Sequence, residues 1–310
     1  MNAHRTIRPT EASWIRGAGD VGRVRRLARR CADACGLDAE AVALCTTEIG
    51  SNLTEHGGGG WMQVWHDGVS LHLAAVDRAS PPATPAPGLG AGLQTVRQHA
   101  ARVDIDDAAA GHCITARFGP PDEPARVGVV MLPLGGHELS GDGVLVELDG
   151  EGLSIVVVDV LGHGPAASED RDRLFAALAE VPLDDPRRVA SASHDAMRGR
   201  RGAALMWAHV SPRRLRSFGI GNVSGEVIDD TTRSLVSEPG MVGRHERPPR
   251  VDEREVRSGA WLLLATDGIL SRGRRPPLAD RHSVALAAAS TIRDHSRQRD
   301  DATVLIARCP

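Results

Sequence analysis

The sequence predicts an α+β chain of two domains, on three observations. Its 310 residues fit two domains of ordinary size. The run Gly119-Pro120-Pro121-Asp122-Glu123-Pro124 denies the backbone both helix and sheet bonding, so it makes a short, semi-rigid connection. And the order of elements differs on its two sides: two helices followed by alternating strands before it, strands covered by helices after it. The expected division is therefore a domain over residues 1–119, a linker over 120–125 and a domain over 126–310.

In the first domain, Val21, Val24, Leu27, Ala28, Cys31 and Cys35 recur at helical spacing, while Arg23, Arg25, Arg26, Arg29 and Arg30 form the other face, either solvated or a surface for an acidic partner. Gly36 stops this helix and Asp38 caps the next. That second helix, about Ala39 to Glu55, carries Glu48, Asn52 and His56 at successive i, i+4 steps, so the three side chains stack along one face. Val42, Cys45, Ile49 and Leu53 form the apolar stripe beside them. Gly57 to Gly60 break the chain, and alternating strands follow around Trp61 to Trp65 and Ser70 to Asp77. The segment PPATPAPGLGAGL holds no regular structure until a helix begins at Leu93. Glycines at Gly88, Gly90 and Gly92 ahead of that helix could cradle phosphates on backbone N–H groups.

In the second domain, a strand over Val144 to Leu148 is followed by a turn at Asp149 to Gly152 and an apolar run, Leu153 to Val158, that ends on Asp159. A hairpin turning between Gly150 and Glu151 pairs residues whose numbers add to about 301. That sets Asp142 opposite Asp159. A turn centred one residue earlier shifts the partner by about two and keeps it on the same face. Helices are expected over Glu169 to Glu180 and Pro186 to Arg198, then paired strands over Ala203 to Val210 and Leu215 to Val227. Gly219, Gly221 and Gly225 let the second of these pass close to another backbone or bulge. The run WLLLATDG ends on Asp267, Ser283 to Asp294 forms a last helix, and Asp300 and Asp301 open the last strand, DDATVLIA.

One Asp at a strand end is an ordinary turn residue. Several of them, at the ends of different strands and with the Gly-rich loop LGHGP after the second, repel one another unless divalent cations lie between them. An all-oxygen set suits Mg²⁺ or Mn²⁺, and two such ions can activate water and clamp phosphoryl oxygens. No Cys-x5-Arg loop offers a protein nucleophile in their place. His163 is the nearest candidate general acid for a leaving oxygen.

SGDG, VVVDVLGHGP, GNVSGEV, GMVG, LLLATDGI and RDDATVLIA stand in the order of the SpoIIE-type branch of the PPM metal-dependent serine/threonine phosphatases. The G-H-G-P most resembles the small RsbX-type members, and the resemblance covers about residues 127 to 308. It implies an αββα sandwich. It also implies two Mn²⁺ or Mg²⁺ ions held by Asp142, Asp159, Asp267 and Asp300 with the backbone carbonyl of Val160. Asp300 is preferred to Asp301 because it takes the first position of the family's D-[DN]-x-[ST] motif. The implied substrate is a phosphoserine or phosphothreonine protein, here a STAS-type antagonist in a partner-switching pathway.

Residues 5 to 118 resemble the GHKL (histidine-kinase-like) ATPase fold of anti-sigma-factor serine kinases, particularly the RsbT type. That likeness implies an α/β sandwich in which Asn52 ligates Mg²⁺, Glu48 is the base, Asp77 binds adenine and Gly88, Gly90 and Gly92 belong to the ATP lid. The glycine box departs from the pattern: Asp77-Arg78-Ala79-Ser80-Pro81 has no glycine, and the later G-T segment reads Gly111-His112-Cys113. The fold follows from the resemblance; kinase activity does not.

Composition excludes several classes. With 37 Lys+Arg against 40 Asp+Glu, nothing points to nucleic acid or an anionic membrane, and no apolar run approaches a transmembrane span. Tyr is absent and aromatics are scarce, which rules out a stacking platform for single strands. The first residues lack the apolar core of a signal peptide, and five scattered cysteines fit reduced, buried thiols in the cytoplasm. The expected protein is a cytoplasmic phosphatase whose N-terminal half binds a STAS partner, with or without ATP. Two alternatives stand beside it: a binding module in which that half sequesters a STAS protein or sigma factor, and a bifunctional kinase–phosphatase.

Overall fold

The computed structural model describes residues 5–55, 59–77, 89–121, 126–135, 137–150, 152–244, 248–270, 283–297 and 299–310. In chain order the elements begin with β1 (Arg5–Ile7), β2 (Ser13–Ile15), α1 (Ala18–Ala34), α2 (Ala39–Glu55), β3 (Gly60–His66), β4 (Leu71–Asp77) and α3 (Leu89–His99). Next come β5 (Arg102–Ala108), β6 (Gly111–Phe118), β7 (Val127–Leu132), β8 (Asp142–Asp149), β9 (Gly152–Val160), α4 (Pro165–Leu178) and α5 (Pro186–Met197). The chain closes with β10 (Ala203–Ser211), β11 (Arg214–Ile220), β12 (Ser224–Ile228), β13 (Thr232–Ser234), β14 (Asp252–Glu255), β15 (Trp261–Ala265), α6 (Val284–His295) and β16 (Ala302–Arg308).

These elements form two compact units, and neither is continuous in sequence. One takes Met1–Arg8, Met131–Gly273 and Arg297–Pro310; the other takes Pro9–Val130 and Arg274–Ser296. The division thus differs from a cut at the proline-rich run in three places: β1 joins the C-terminal unit, α6 joins the N-terminal one, and the boundary falls inside β7, between Val130 and Met131.

The C-terminal unit holds a six-stranded sheet, β1-β8-β9-β10-β11-β14, and a five-stranded sheet, β13-β12-β15-β16-β7. Strand β1 pairs with β8 through Arg5↔Leu148 and Ile7↔Val146. Leu145, Val156, Val158 and Trp207 on one face of the larger sheet pack against Leu174, Phe175 and Leu178 of α4 and Val189 and Met197 of α5. The alternate residues Val144, Val157 and Met206 are fully buried too. Both faces of this sheet are therefore covered, as the layered expectation requires.

The N-terminal unit holds the sheet β2-β3-β4-β6-β5. Val21, Val24 and Ala28 of α1, Val42, Cys45 and Ile49 of α2 and Val96 of α3 form one core with Met62, Leu71, Leu73 and Phe118 of the strands. Helix α6, expected among the elements of the second half, lies against β4, β5 and β6 instead. It is pinned by Arg293, whose side chain is 2% exposed and sits 2.7 Å from the Asp106 carboxylate. The same guanidinium donates to the carbonyls of Asp106 at 3.0 Å and Gly111 at 3.2 Å.

Three expectations are corrected locally. Helix α3 starts at Leu89, four residues early, so Gly90 and Gly92 lie inside its first turn and not in a loop ahead of it; Gly88, His56 and Gly57 fall outside the described residues. Helix α4 starts at Pro165, because a proline at the first helical position needs no N–H partner there. The expected strand Leu215 to Val227 is two strands in different sheets. Gly221, with φ +90°, turns the chain from one to the other where a side chain would strike Ala204. All five cysteines are free thiols, as expected, with Cys31, Cys45, Cys113 and Cys309 buried.

Candidate active site

Each sheet of the C-terminal unit presents one pair of strand ends. Asp142 opens β8 and Asp159 stands one residue before the end of β9; the register sets them directly opposite each other. That is the pairing expected from a turn between Gly150 and Glu151. In the other sheet Ala265 pairs with Val304, so the ladder carries Asp267, just beyond β15, toward Asp300 and Asp301, just before β16. The approach is close enough that a Cβ on Gly268 would lie 1.9 Å from the Asp301 carbonyl oxygen, which only glycine permits.

The four acids sense one another. Burial, and next the charge of Asp159, raise the Asp142 carboxyl well above its ordinary range. Burial and the carboxylates of Asp267, Asp300 and Asp301 push Asp159 up to about 7. Asp300 is raised by burial and then by Asp267. Two side chains orient the set: Thr266 Oγ1 donates to Asp142 Oδ2 at 2.6 Å, and Asn222 Nδ2 donates to Asp267 Oδ2 at 2.7 Å. No three of the described His, Cys, Asp and Glu side chains converge on one point. The acids lie at neighbouring strand ends and raise one another's carboxyls, and their all-oxygen chemistry and mutual repulsion fit hard divalent cations.

Other residues build the walls, and sequence reasoning did not find them. Asp301 is buried; its Oδ1 accepts from Leu134 N and its Oδ2 from Gly141 N, each at 2.7 Å. It ties the loop before β8 to the start of β16. Arg171 of α4, also buried, donates to the carbonyls of Ser140 at 2.9 Å and Asp142 at 3.1 Å, and to Ser168 Oγ at 2.9 Å. Gly143 makes room for it, since a Cβ there would lie 2.6 Å from Arg171 Cδ. The one sequence signal for that role was a glycine inside an apolar strand.

The loop after β9 completes the rim. Val160 N donates to Gly141 O at 3.3 Å, and the Val160 carbonyl oxygen lies 2.9 Å from where a Gly141 Cβ would be. His163 is exposed and its ring centroid is 4.8 Å from that of His137. Gly164, at φ +74°, turns the chain into α4.

In the N-terminal unit, Glu48 and Asn52 lie one turn apart on α2, and Glu48 Oε2 is 2.6 Å from where a Gly92 Cβ would be. Asp77 ends β4, is buried, and accepts from His112 N at 3.3 Å.

The family model described as Stage II sporulation protein E (SpoIIE) matches residues 149–310, just over half of the chain. The chain belongs to the SpoIIE family. As a SpoIIE-family protein it is a metal-dependent serine/threonine phosphatase of the PPM type, which agrees with acids at four strand ends. Two of the solved structures that match the chain show the fold. One, from work on the bacterial stressosome, a modular system adapted to control secondary messenger signalling, is 21% identical, with TM-score 0.56 over 60% of this chain and 100% of that one. The other, RsbX in complex with magnesium, is 16% identical, with TM-score 0.52 over 67% of this chain and 100% of that one. A search of curated proteins gave no match. Among the described residues no helix is long and apolar enough to cross a membrane.

Proposed function

We propose that Asp142, Asp159, Asp267 and Asp300, with the carbonyl of Val160, hold two Mn²⁺ or Mg²⁺ ions, and that the substrate is the phosphoserine or phosphothreonine of a STAS-type antagonist in a partner-switching pathway. The observation that carries the metal site is the register that sets Asp142 opposite Asp159 in one sheet while the other sheet carries Asp267 toward Asp300; burial and the neighbouring acids raise Asp159 to about 7. An arrangement that repels itself so strongly has its natural complement in bound divalent charge. The exposed Asp300 supports its choice over Asp301, whose two oxygens are already taken by backbone amides.

Phosphate monoesters hydrolyse extremely slowly unaided, so the site must lower a very large barrier. Bound divalent cations supply Lewis acidity and charge neutralisation at the phosphoryl group. The residues of the chain do the rest. Thr266 and Asn222 fix the aim of Asp142 and Asp267, Arg171 locks the backbone that presents Asp142, and exposed His163 gives a proton to the departing serine or threonine oxygen. The deciding experiment is turnover of a phosphoserine STAS protein by the full chain with and without Mn²⁺. Metal-dependent release of phosphate, lost in Asp159→Asn, is the expected result; full activity in that variant would refute the assignment.

For the N-terminal half we propose a GHKL-like module that binds the STAS partner and takes ATP against α2 and α3. The contact of α2 with α3 supports it, since the first turn of α3, with Gly90 and Gly92, offers backbone N–H groups of the kind that attract phosphate. Wild-type affinity for ATP, weakened in Asn52→Ala, tests this; absence of nucleotide binding by the wild type removes it.

A further inference from the structure

The side chains of the site carry an excess of negative charge, which the proposed ions would offset. Its acids suit cations, yet the substrate group is itself an anion, and anions at rest are recognised by fixed donors, most effectively by guanidinium. The chain contains no lysine, so every permanent side-chain cation is an arginine.

The arginines near the site differ in what they already hold. Arg171 is buried on backbone carbonyls and Ser168. Arg200 is paired with Asp170 at 2.8 Å, and Arg198 with Asp195 at 2.8 Å. Arg201 forms no ion pair or hydrogen bond with a described residue, and it is exposed. Its place is fixed by the sheet. Ala204 pairs with Asp159 and Ala203 with Val160, and Gly202 O accepts from Leu161 N at 3.1 Å, so the same register brings Arg201 to Gly162. A Cβ on Gly162 would lie 3.4 Å from Arg201 Nη1. Gly162, at φ +96°, leaves the guanidinium lying over bare backbone in the loop between Asp159 and His163. The two neighbouring strand ends therefore carry opposite charges: an acid from β9 and a guanidinium from the approach to β10.

We infer that Arg201 is the phosphoryl-binding residue of the site: it takes the non-bridging oxygens of the substrate phosphate and holds the ester over the acids. The inference rests on the phosphatase reading but concerns a different residue and a different ligand. It accounts for a guanidinium held over the loop between Asp159 and His163 with no ion pair to a described residue.

The test uses the full chain in saturating Mn²⁺ and inorganic phosphate as the probe, read by ³¹P NMR titration and by competitive inhibition of p-nitrophenyl phosphate turnover. Arg201→Ala is expected to weaken phosphate binding and to raise KM for the small substrate, each about tenfold or more, the weight of a charge-assisted hydrogen bond. Arg201→Lys should recover part of the loss, as a point charge without the bidentate fork. Arg198→Ala, a surface change at the end of α5, should leave both unchanged. Unaltered phosphate affinity in Arg201→Ala overturns the inference, and so does a loss confined to a phosphoprotein substrate, which would make Arg201 a reader of the partner's surface. Binding that depends on Arg201 in a protein without turnover would uphold the inference while defeating the phosphatase assignment.

Discussion

Asp300 and Asp301 are neighbours in sequence with opposite surroundings: the first is exposed beside Asp267, and the second is buried with both carboxylate oxygens on the amides of Leu134 and Gly141. Their isosteric variants should therefore fail in different ways. Asp301→Asn turns one acceptor into a donor facing an N–H, and should lower stability by about 1.5–3 kcal/mol in urea unfolding. Asp300→Asn should leave stability intact and reduce phosphate release about a hundredfold or more, as expected for a lost ligand. The reverse pattern would exchange their roles.

Asp159 gives a pH prediction with a definite sign. Its carboxyl is raised to about 7 in the fold, so the metal-free folded state holds a proton that the unfolded chain releases near the ordinary value of 3.8. The stability linked to this group is complete below that value and is lost as pH rises through about 7. Asp159→Asn should accordingly stabilise the metal-free protein at pH 8 by on the order of 1–3 kcal/mol in urea unfolding, while leaving its stability nearly unchanged at pH 4. In the wild type, apparent Mn²⁺ affinity should weaken as pH falls below 7, because the ion must displace that proton. Calorimetric titration at pH 6 and 8 checks the second point.

His72 titrates in the other sense. It stacks on Trp65 with centroids 5.1 Å apart and is fully buried; burial above all, aided by Arg117 and His66 and opposed by Asp67, lowers it to about 4. It is neutral in the fold, and its stability is complete above the ordinary value of 6.5 and lost as pH falls toward 4. The loss should reach roughly 3 kcal/mol at pH 4. Urea unfolding between pH 7 and 4.5 should show this slope, and His72→Phe, which keeps a ring on Trp65, should flatten it.

Arg293 is the anchor of α6. Removing its guanidinium strands the carbonyls of Asp106 and Gly111 and leaves Asp106 without its ion pair, so Arg293→Ala should destabilise the N-terminal unit by about 2–4 kcal/mol. Hydrogen exchange of β5 and β6 would locate the loss; unchanged protection there would show that α6 is held by its apolar face alone.

What could be read beforehand was local. The Asp142–Asp159 pairing followed from one turn and a two-residue period, because a hairpin leaves few registers open. The two α-helices before β3 followed from apolar spacing and from Gly36 and Asp38. The roles of Arg171, Thr266 and Asp301 were not legible, since each acts through a hydrogen bond to a residue distant in sequence, and such bonds leave no periodic trace. The break of the expected strand at Gly221 was hidden for a related reason. Both halves carry apolar residues among polar ones, Leu215, Phe218 and Ile220 in the first and Val227 and Ile228 in the second, and nothing in the pattern says which sheet each enters. Helix α6 showed the same limit: its spacing announced a buried face without saying against what.

The placement of β1 and α6 bears on how the protein is made. Synthesis delivers Pro9–Val130 first, but its sheet lacks the cover of α6 until the ribosome has passed residue 296. Meanwhile β1 waits for β8, more than a hundred residues downstream. Neither half can finish folding while the other is still being translated. By the same reasoning, a protease cut or a gene truncation at the proline-rich run yields two damaged pieces, so exchange of whole halves between related genes would have to carry α6 along with the sheet it covers.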